Sequence, residues 1–284
     1  MKINKVCILG AGTLGSRIAL QSAISGFEVR VYDIQECAFE ASRKMMAKVL
    51  KQIKMDASII DQILFTTDPM EAVLDADIIS ESVTEDLALK QQVWAQFGAI
   101  APEKTIFTTN TSYLLPSQIA DFTGRPSLFC AFHFHDVFYS TVVDIMPHPE
   151  TSEHLISILE DFGRALNQVP VVVRKENHGY IFNSMLMALI GSAGKLRTKE
   201  VASIEDIDKS WMVNFHMPMG PFGILDSIGL DTAWHVTHKL EDPASQAFAS
   251  LVKTYIDAGK LGEKTGEGFY TYPNPAYRDP DFLN

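Results

Sequence analysis

The sequence predicts an α/β chain: a mostly parallel sheet domain over residues 1–177, then an all-α domain over residues 178–284. Three observations carry this. Short apolar runs alternate with helical patterns from Lys5 to Val173, as in parallel strands joined by crossover helices. A glycine-rich loop follows the first run directly. The alternation then stops near Lys175, and only helical patterns follow, with no low-complexity linker between.

Val6-Cys7-Ile8-Leu9 suits a strand buried on both faces. It runs into Gly10-Ala11-Gly12-Thr13-Leu14-Gly15, a match to G-x-G-x-x-G. In that pattern the first glycine makes a tight turn, the second lets a pyrophosphate approach the backbone, and the third packs helix on strand. A helix is expected over residues 16–25, its N-terminal N–H groups suited to an anion. A second strand over 27–32 ends at Asp33, 18 residues after Gly15, where a carboxylate can accept the hydroxyls of an adenosine ribose. The whole reads as a Rossmann-type dinucleotide site. Asp33 would repel a 2′-phosphate and Ile34-Gln35 offers no arginine, so NAD is expected rather than NADP.

The next helix, over 37–54, turns Met45, Met46, Val49, Leu50 and Ile53 inward and sets Lys44, Lys48 and Lys51 on one face. That face is either plain solvated surface or a dock for a phosphate-rich substrate tail. Further strands are expected over 77–80, 105–109, 128–132, 141–146 and 169–173, with helices over 86–100 and 152–166. Beyond Lys175, helices are expected over 180–196, from Ser203 with Asp206 as a capping-box-like acid, over 225–240 and over 244–258.

Composition narrows the class. At 284 residues and a net charge of −11, the chain suits neither general nucleic-acid binding nor an anionic membrane surface. No apolar run approaches a membrane span, and the N-terminal apolar run feeds the glycine loop rather than a cleavage site. Cys7, Cys37 and Cys130 show no metal-ligand spacing. No metal centre is expected, and a reduced, cytoplasmic setting is the plain reading.

Ser112, His133, Asp144 and Asn183 form a polar set outside the nucleotide loop. The first three end or follow strands. In open sheets ligands sit beyond strand carboxyl ends, where Gly10, Asp33, Ser112 and His133 all fall. A nicotinamide dehydrogenase needs a base for the hydroxyl proton, and an imidazole backed by a carboxylate suits that task. His135 is the nearest competitor and is expected to point opposite to His133. Asp136 is the rival carboxylate, expected to face the nicotinamide.

These stretches resemble the 3-hydroxyacyl-CoA dehydrogenase family across nearly the whole chain. The matches are the glycine loop, Asn110-Thr111-Ser112, His133-Phe134, Gly179-Tyr180-Ile181-Phe182-Asn183, Met219-Gly220-Pro221-Phe222, Gly229-Leu230-Asp231-Thr232 and Lys264-Thr265-Gly266-Glu267-Gly268-Phe269-Tyr270. The resemblance implies that His133 is the catalytic base, with Ser112 and Asn183 on the substrate. It also implies that Asp33, Glu85, Lys90 and Lys264 touch NAD, and that the C-terminal domain makes a homodimer.

There are departures. Asp144 stands for the usual glutamate, and the loop before it is one residue shorter. Asp136 replaces an asparagine, His178 a proline and Ser184 an arginine. The extension after Lys54 is short. The changes are similar to those of diketoreductase-like and L-gulonate 3-dehydrogenase-like relatives. The first reading is therefore redox chemistry on a 3-hydroxyacyl-CoA, in fatty acid metabolism. The second is the same chemistry on a free 3-hydroxy acid or diketo ester, and the third is dinucleotide binding without catalysis.

Overall fold

The computed structural model describes residues 2–238 and 242–283. Two compact units divide the chain, Met1–Ile181 and Phe182–Asn284. The first holds eight strands: β1 (Lys5–Leu9), β2 (Glu28–Tyr32), β3 (Ile63–Thr66), β4 (Ile78–Glu81), β5 (Ile106–Thr109), β6 (Phe129–Phe134), β7 (Val142–Met146) and β8 (Val169–Val172). Their order is β3-β2-β1-β4-β5-β6-β7-β8. The first six strands are parallel, β7 runs antiparallel to β6, and β8 follows β7. Five helices connect them: α1 (Thr13–Ile24), α2 (Cys37–Ile53), α3 (Pro69–Val73), α4 (Leu87–Ile100) and α5 (Glu153–Ala165).

Alternation along β1 shows how the sheet is covered on both faces. Val6 and Ile8 join one apolar cluster with Ile18, Val31 and Leu50. Cys7 and Leu9 join the other with Ile79, Trp94 and Phe107. Burial pushes the Cys7 thiol up to about 12, so it behaves as a small apolar side chain.

Several elements differ from expectation. The helix after the glycine loop begins three residues earlier, at Thr13, because Gly12 already caps it. On α2, Met46, Val49 and Leu50 are buried, but Ile53 is 40% exposed, and Lys54 ends the helix in the left-handed conformation. Lys44 on that helix pairs with Glu40 at 2.6 Å, both exposed. β3 and α3 lack a sequence signal: four and five residues are too short for periodicity to register.

The second unit is helical: α6 (Phe182–Thr198), α7 (Ile204–Phe215), α8 (Pro221–Ile228), α9 (Leu230–Thr237) and α10 (Pro243–Asp257). Ser203 caps α7 by accepting from the Asp206 N–H at 3.0 Å, as its spacing predicts. The single helix expected over 225–240 is two, and its end at Leu240 lies outside the described residues. Gly229, at φ 100, lies between α8 and α9 in a conformation closed to side-chain-bearing residues.

Two buried carboxylates organise this unit. Asp208 accepts from the Phe222 and Gly223 N–H groups at 2.9 and 3.0 Å, at the start of α8, and from the Tyr270 hydroxyl at 3.0 Å. Asp226 accepts from the Phe269 and Tyr270 N–H groups at 2.9 and 2.8 Å. Burial outweighs these bonds and pushes Asp208 up to about 6. A carboxyl raised in the folded state contributes stability below its unfolded pKa and loses it as pH rises through the folded value. Melting temperature should therefore gain less on lowering the pH from 7 to 5 in Asp208→Asn than in the parent. Equal pH dependence in the two proteins would contradict this.

Candidate active site

The carboxyl ends of β1, β2, β4, β5 and β6 lie along one edge of the sheet, and the strand order reverses between β1 and β4. That is where an open sheet offers a ligand crevice. Gly10 closes the β1 turn at φ 106, and a Cβ there would lie 2.8 Å from the Ser82 carbonyl oxygen. On Gly15 a Cβ would come within 2.0 Å of the Gly10 carbonyl oxygen. A Cβ on Gly12 would meet nothing within 4 Å, so the N-terminus of α1 stands open to a phosphate. Thr13 and Leu14 form its first turn.

Asp33 is held against this loop, accepting from the Ala11 N–H at 2.9 Å and the Gln35 N–H at 3.0 Å. Its neighbour Ile34 is 77% exposed and carries no charge. Open glycine, helix terminus and anchored carboxylate together fit a dinucleotide with a free ribose 2′-hydroxyl. Asp33, Gly12 and the α1 N–H groups would hold it.

Next along the edge lies a charge network built on the buried Lys90–Glu81 pair, with Glu85 at its exposed end. Lys90, 1% exposed, reaches Glu81 at 2.6 Å, the Val83 carbonyl at 3.2 Å and Glu85 at 3.3 Å. Glu81, at the end of β4, also accepts from Thr109 at 2.7 Å and from the Val83 N–H at 2.8 Å. Glu85 accepts from the Ser112 and Tyr113 N–H groups at 3.0 and 3.1 Å and from the Thr111 hydroxyl. Burial opposes its ionisation, yet the Lys90 charge and these bonds hold its carboxyl below the ordinary range. The network fixes the Ser112 loop. Asn110 ties that loop to β6, accepting from the Phe134 N–H at 2.7 Å.

His133 and Asp144 are direct cross-strand partners in the β6–β7 ladder. His133 Nδ1 lies 3.5 Å from Asp144 Oδ2, and Nε2 lies 3.1 Å from Ser112 Oγ. A carboxylate only accepts, so Nδ1 carries the proton and Nε2 takes the Ser112 hydrogen bond. The ring is stacked on Tyr180, with centroids 4.9 Å apart, and the Tyr180 hydroxyl donates to the Thr111 carbonyl at 2.8 Å. His133 is 3% exposed. Burial lowers its proton affinity, the Asp144 hydrogen bond raises it and His135 lowers it again, leaving the pKa below the ordinary value. Asp144 also stays below its usual range: burial opposes ionisation, and the bonds from both imidazoles outweigh that.

One expectation is corrected. His135 does not point away from His133: residues two apart along a strand share a face. Its Nε2 lies 2.8 Å from the same Asp144 oxygen, and the two rings are 4.7 Å apart. One nitrogen of each ring and an Asp144 oxygen lie within 4.8 Å of one another.

The remaining residues fall elsewhere. Asp136 is bonded to Arg17 of α1 and accepts from the Phe138 and Tyr139 N–H groups, so Asp144 is the carboxylate that faces His133. In the second unit, Lys264 pairs with Asp231 at 2.6 Å, and Asn183 lies in the first turn of α6. Sequence reasoning missed Glu81, Tyr180 and His135 as parts of the site. Glu81 closes an apolar run, and that placement was the available signal. Among the described residues, no helix is long and apolar enough to cross a membrane.

The chain matches two family models. "3-hydroxyacyl-CoA dehydrogenase, NAD binding domain" covers residues 5–177, and "3-hydroxyacyl-CoA dehydrogenase, C-terminal domain" covers residues 179–272. It is 33% identical to the mitochondrial hydroxyacyl-coenzyme A dehydrogenase of Homo sapiens, over 95% of this chain and 91% of that one. A solved diketoreductase is 38% identical with a TM-score of 0.92, covering 96% of this chain and 100% of its own. The (S)-3-hydroxybutyryl-CoA dehydrogenase PaaH1 of Ralstonia eutropha is 30% identical with a TM-score of 0.84, over 96% and 100%.

Two outcomes follow from this geometry. NAD(H) should be preferred over NADP(H) by at least about tenfold in kcat/KM, since a phosphate against Asp33 costs more than about 1.4 kcal/mol. Asp33→Ser should narrow the gap, and equal use of both cofactors by the parent would refute the assignment. If His133 is the base, oxidation needs it neutral, and kcat/KM should stay level as pH falls to 6.5, the ordinary imidazole value, and drop only below it. A pH–rate profile with its acid limb at or above that value would contradict the burial argument.

Proposed function

This chain belongs to the 3-hydroxyacyl-CoA dehydrogenase family of NAD-dependent oxidoreductases, and from that premise we propose that it interconverts the 3-hydroxy and 3-oxo groups of an acyl-CoA, with His133 as acid and base. The observation that carries the reading is the Ser112–His133–Asp144 alignment, with an imidazole Nε2 free of any carboxylate and a Nδ1 facing one. Held by Asp33, Gly12 and the α1 N–H groups, NAD would supply the hydride acceptor for carbon 3, and NADH the donor. His133 Nε2 takes the hydroxyl proton in oxidation and gives it back in reduction. Ser112 turns its hydroxyl from Nε2 to the substrate oxygen. Asp144 stabilises the imidazolium, at roughly 10²–10⁴-fold in rate for the acid–base step as a whole. Family position assigns Asn183 to the substrate, and Glu85, Lys90 and Lys264 to the cofactor, while Asp136 is expected to face the nicotinamide. Lys90 acts there through Glu85, whose carboxylate it holds.

A CoA handle finds support in Lys44, Lys48 and Lys51 on α2, and such a substrate belongs to fatty acid metabolism. The second reading, a free 3-oxo acid or diketo ester, is favoured by the diketoreductase likeness and by the short acid at Asp144. Exposed Met185, Val213 and Phe215 on α6 and α7 support a homodimer through the second unit. Three free cysteines, two of them buried, support a reducing, cytoplasmic setting.

NADH oxidation across acetoacetyl-CoA, free 3-oxo acids and diketo esters is the test. We expect acetoacetyl-CoA to give the highest kcat/KM, and His133→Gln to lose at least about a hundredfold in kcat with NADH affinity unchanged. Preference for the free acid or ester would select the second reading. Normal turnover by His133→Gln would remove the catalytic assignment, and NADH binding without turnover on any substrate would leave a dinucleotide-binding protein.

A further inference from the structure

Asp144 makes its shorter contact with the second imidazole rather than with the base. His135 Nε2 lies 2.8 Å from Oδ2, against 3.5 Å for His133 Nδ1. His135 follows the last residue of β6, and its own N–H returns to the Val142 carbonyl at 3.4 Å, so the backbone continues the strand direction for one more residue. The carboxylate cannot donate, so Nε2 of His135 carries a hydrogen aimed at it.

The base assignment creates a difficulty that this second ring resolves. In oxidation the resting enzyme needs His133 neutral. Asp144 is then an ionised carboxylate, 1% exposed, and among the described residues its close side-chain contacts are the two imidazoles. Burying such a charge is expensive unless hydrogen bonds satisfy it. Nδ1 of His133 is buried and stands 3.5 Å from the Asp144 oxygen, the longer and weaker of the two contacts. His133 alone therefore does not satisfy the carboxylate in this state.

Resting on the reading of His133 as acid and base, we propose that His135 is a positioning residue: its Nε2–H holds the Asp144 carboxylate ready while His133 is neutral, and shares the oxygen with His133 once the imidazolium forms. The hydroxyl proton goes to His133 Nε2, the Nδ1 proton stays where it is, and no proton passes to Asp144 or His135. The role explains how an acid one methylene shorter than glutamate serves here: the second imidazole anchors the oxygen on the same face of the sheet. It also sets the base. Each imidazole competes for one oxygen, so the hold on the His133 proton is weaker than an unshared carboxylate would give. The other titratable groups around His133 are Glu85 and Glu81, behind the Ser112 loop and bound to Lys90, and the neutral phenol of Tyr180 beneath the ring. Asp136 is tied to Arg17. Of the groups touching Asp144, His135 is the one whose removal frees the shared oxygen.

The experiment compares His135→Phe, which removes the donor, with His135→Gln, which keeps an N–H. The readout is kcat/KM against pH in the oxidation direction, with NADH affinity and melting temperature measured alongside. In His135→Phe the acid limb should move up by roughly one pH unit, because Asp144 then bonds His133 alone. His135→Gln should keep the limb within about 0.3 pH unit of the parent. Should the phenylalanine variant not fold, His135→Leu makes the same comparison. An unmoved limb with a rate lowered evenly at all pH values would mean plain packing and overturn the proposal, as would identical profiles for the Phe and Gln variants. His133→Gln is assayed in parallel. If it is inactive while the limb of His135→Phe stays put, this inference fails and the base assignment stands; if it turns over normally, the base assignment fails first.

Discussion

The site depends on one constraint: an ionised carboxylate kept at the buried seam between β6 and β7. Asp144 is almost wholly enclosed, and low surrounding polarity magnifies both the cost of leaving it unpaired and the pull it exerts on a neighbouring imidazole. Two N–H donors and the ladder itself meet that cost. Asp144 pairs with His133 on one side and lies opposite Val171 of β8 on the other, so its backbone is held between two strands. The side chain then has little freedom, which suits the proposed role of stabilising a charge that appears at one atom.

Reversal of β7 is what makes the pairing available. In the parallel part of the sheet, strand carboxyl ends collect at one edge, and the residues there are loop residues. An antiparallel neighbour delivers its amino-terminal half to that edge instead. Asp144, the third residue of β7, therefore sits inside the ladder opposite the fifth residue of β6. The same reversal carries the Val142 carbonyl within reach of the His135 N–H, which turns a second imidazole to the shared face.

Much of this was legible in the residues. The glycine loop, Asp33 and the strand ends at Ser112 and His133 are encoded locally, by turn chemistry and short apolar runs, and they fall where local reasoning puts them. The misses were non-local or too short. β3 and α3 lack the length to show a period. The break at Gly229 is a single glycine inside an apolar pattern, easily read as a tolerated helix residue until its positive φ is seen. The sequence reading puts His135 on the opposite face, although period two returns it to the face of His133. The enclosed pair of Glu81 and Lys90 needs β4, β5 and α4 assembled before either charge has a partner, so its burial could not be read from spacing.

Ser112 shows the alternative way of fixing a functional side chain. It belongs to no strand, and a loop has more freedom than a ladder. The chain restrains it with charge: Lys90 fixes Glu85, and Glu85 takes the N–H groups of Ser112 and Tyr113. A half-satisfied version of that network would cost more than an apolar filling, since the buried Lys90 and Glu81 would lose their partners. Here Glu81 divides its oxygens between Lys90 and the Val83 N–H on one and Thr109 on the other. The two arms of the site are thus rigid for different reasons. Strand register places the imidazole and its carboxylate, and ion pairing anchored on the buried Lys90 places the hydroxyl against the imidazole at 3.1 Å. Loss of the Lys90 charge would loosen Ser112 while leaving the His133–Asp144 register intact, because no hydrogen bond of the β6–β7 ladder runs through the network.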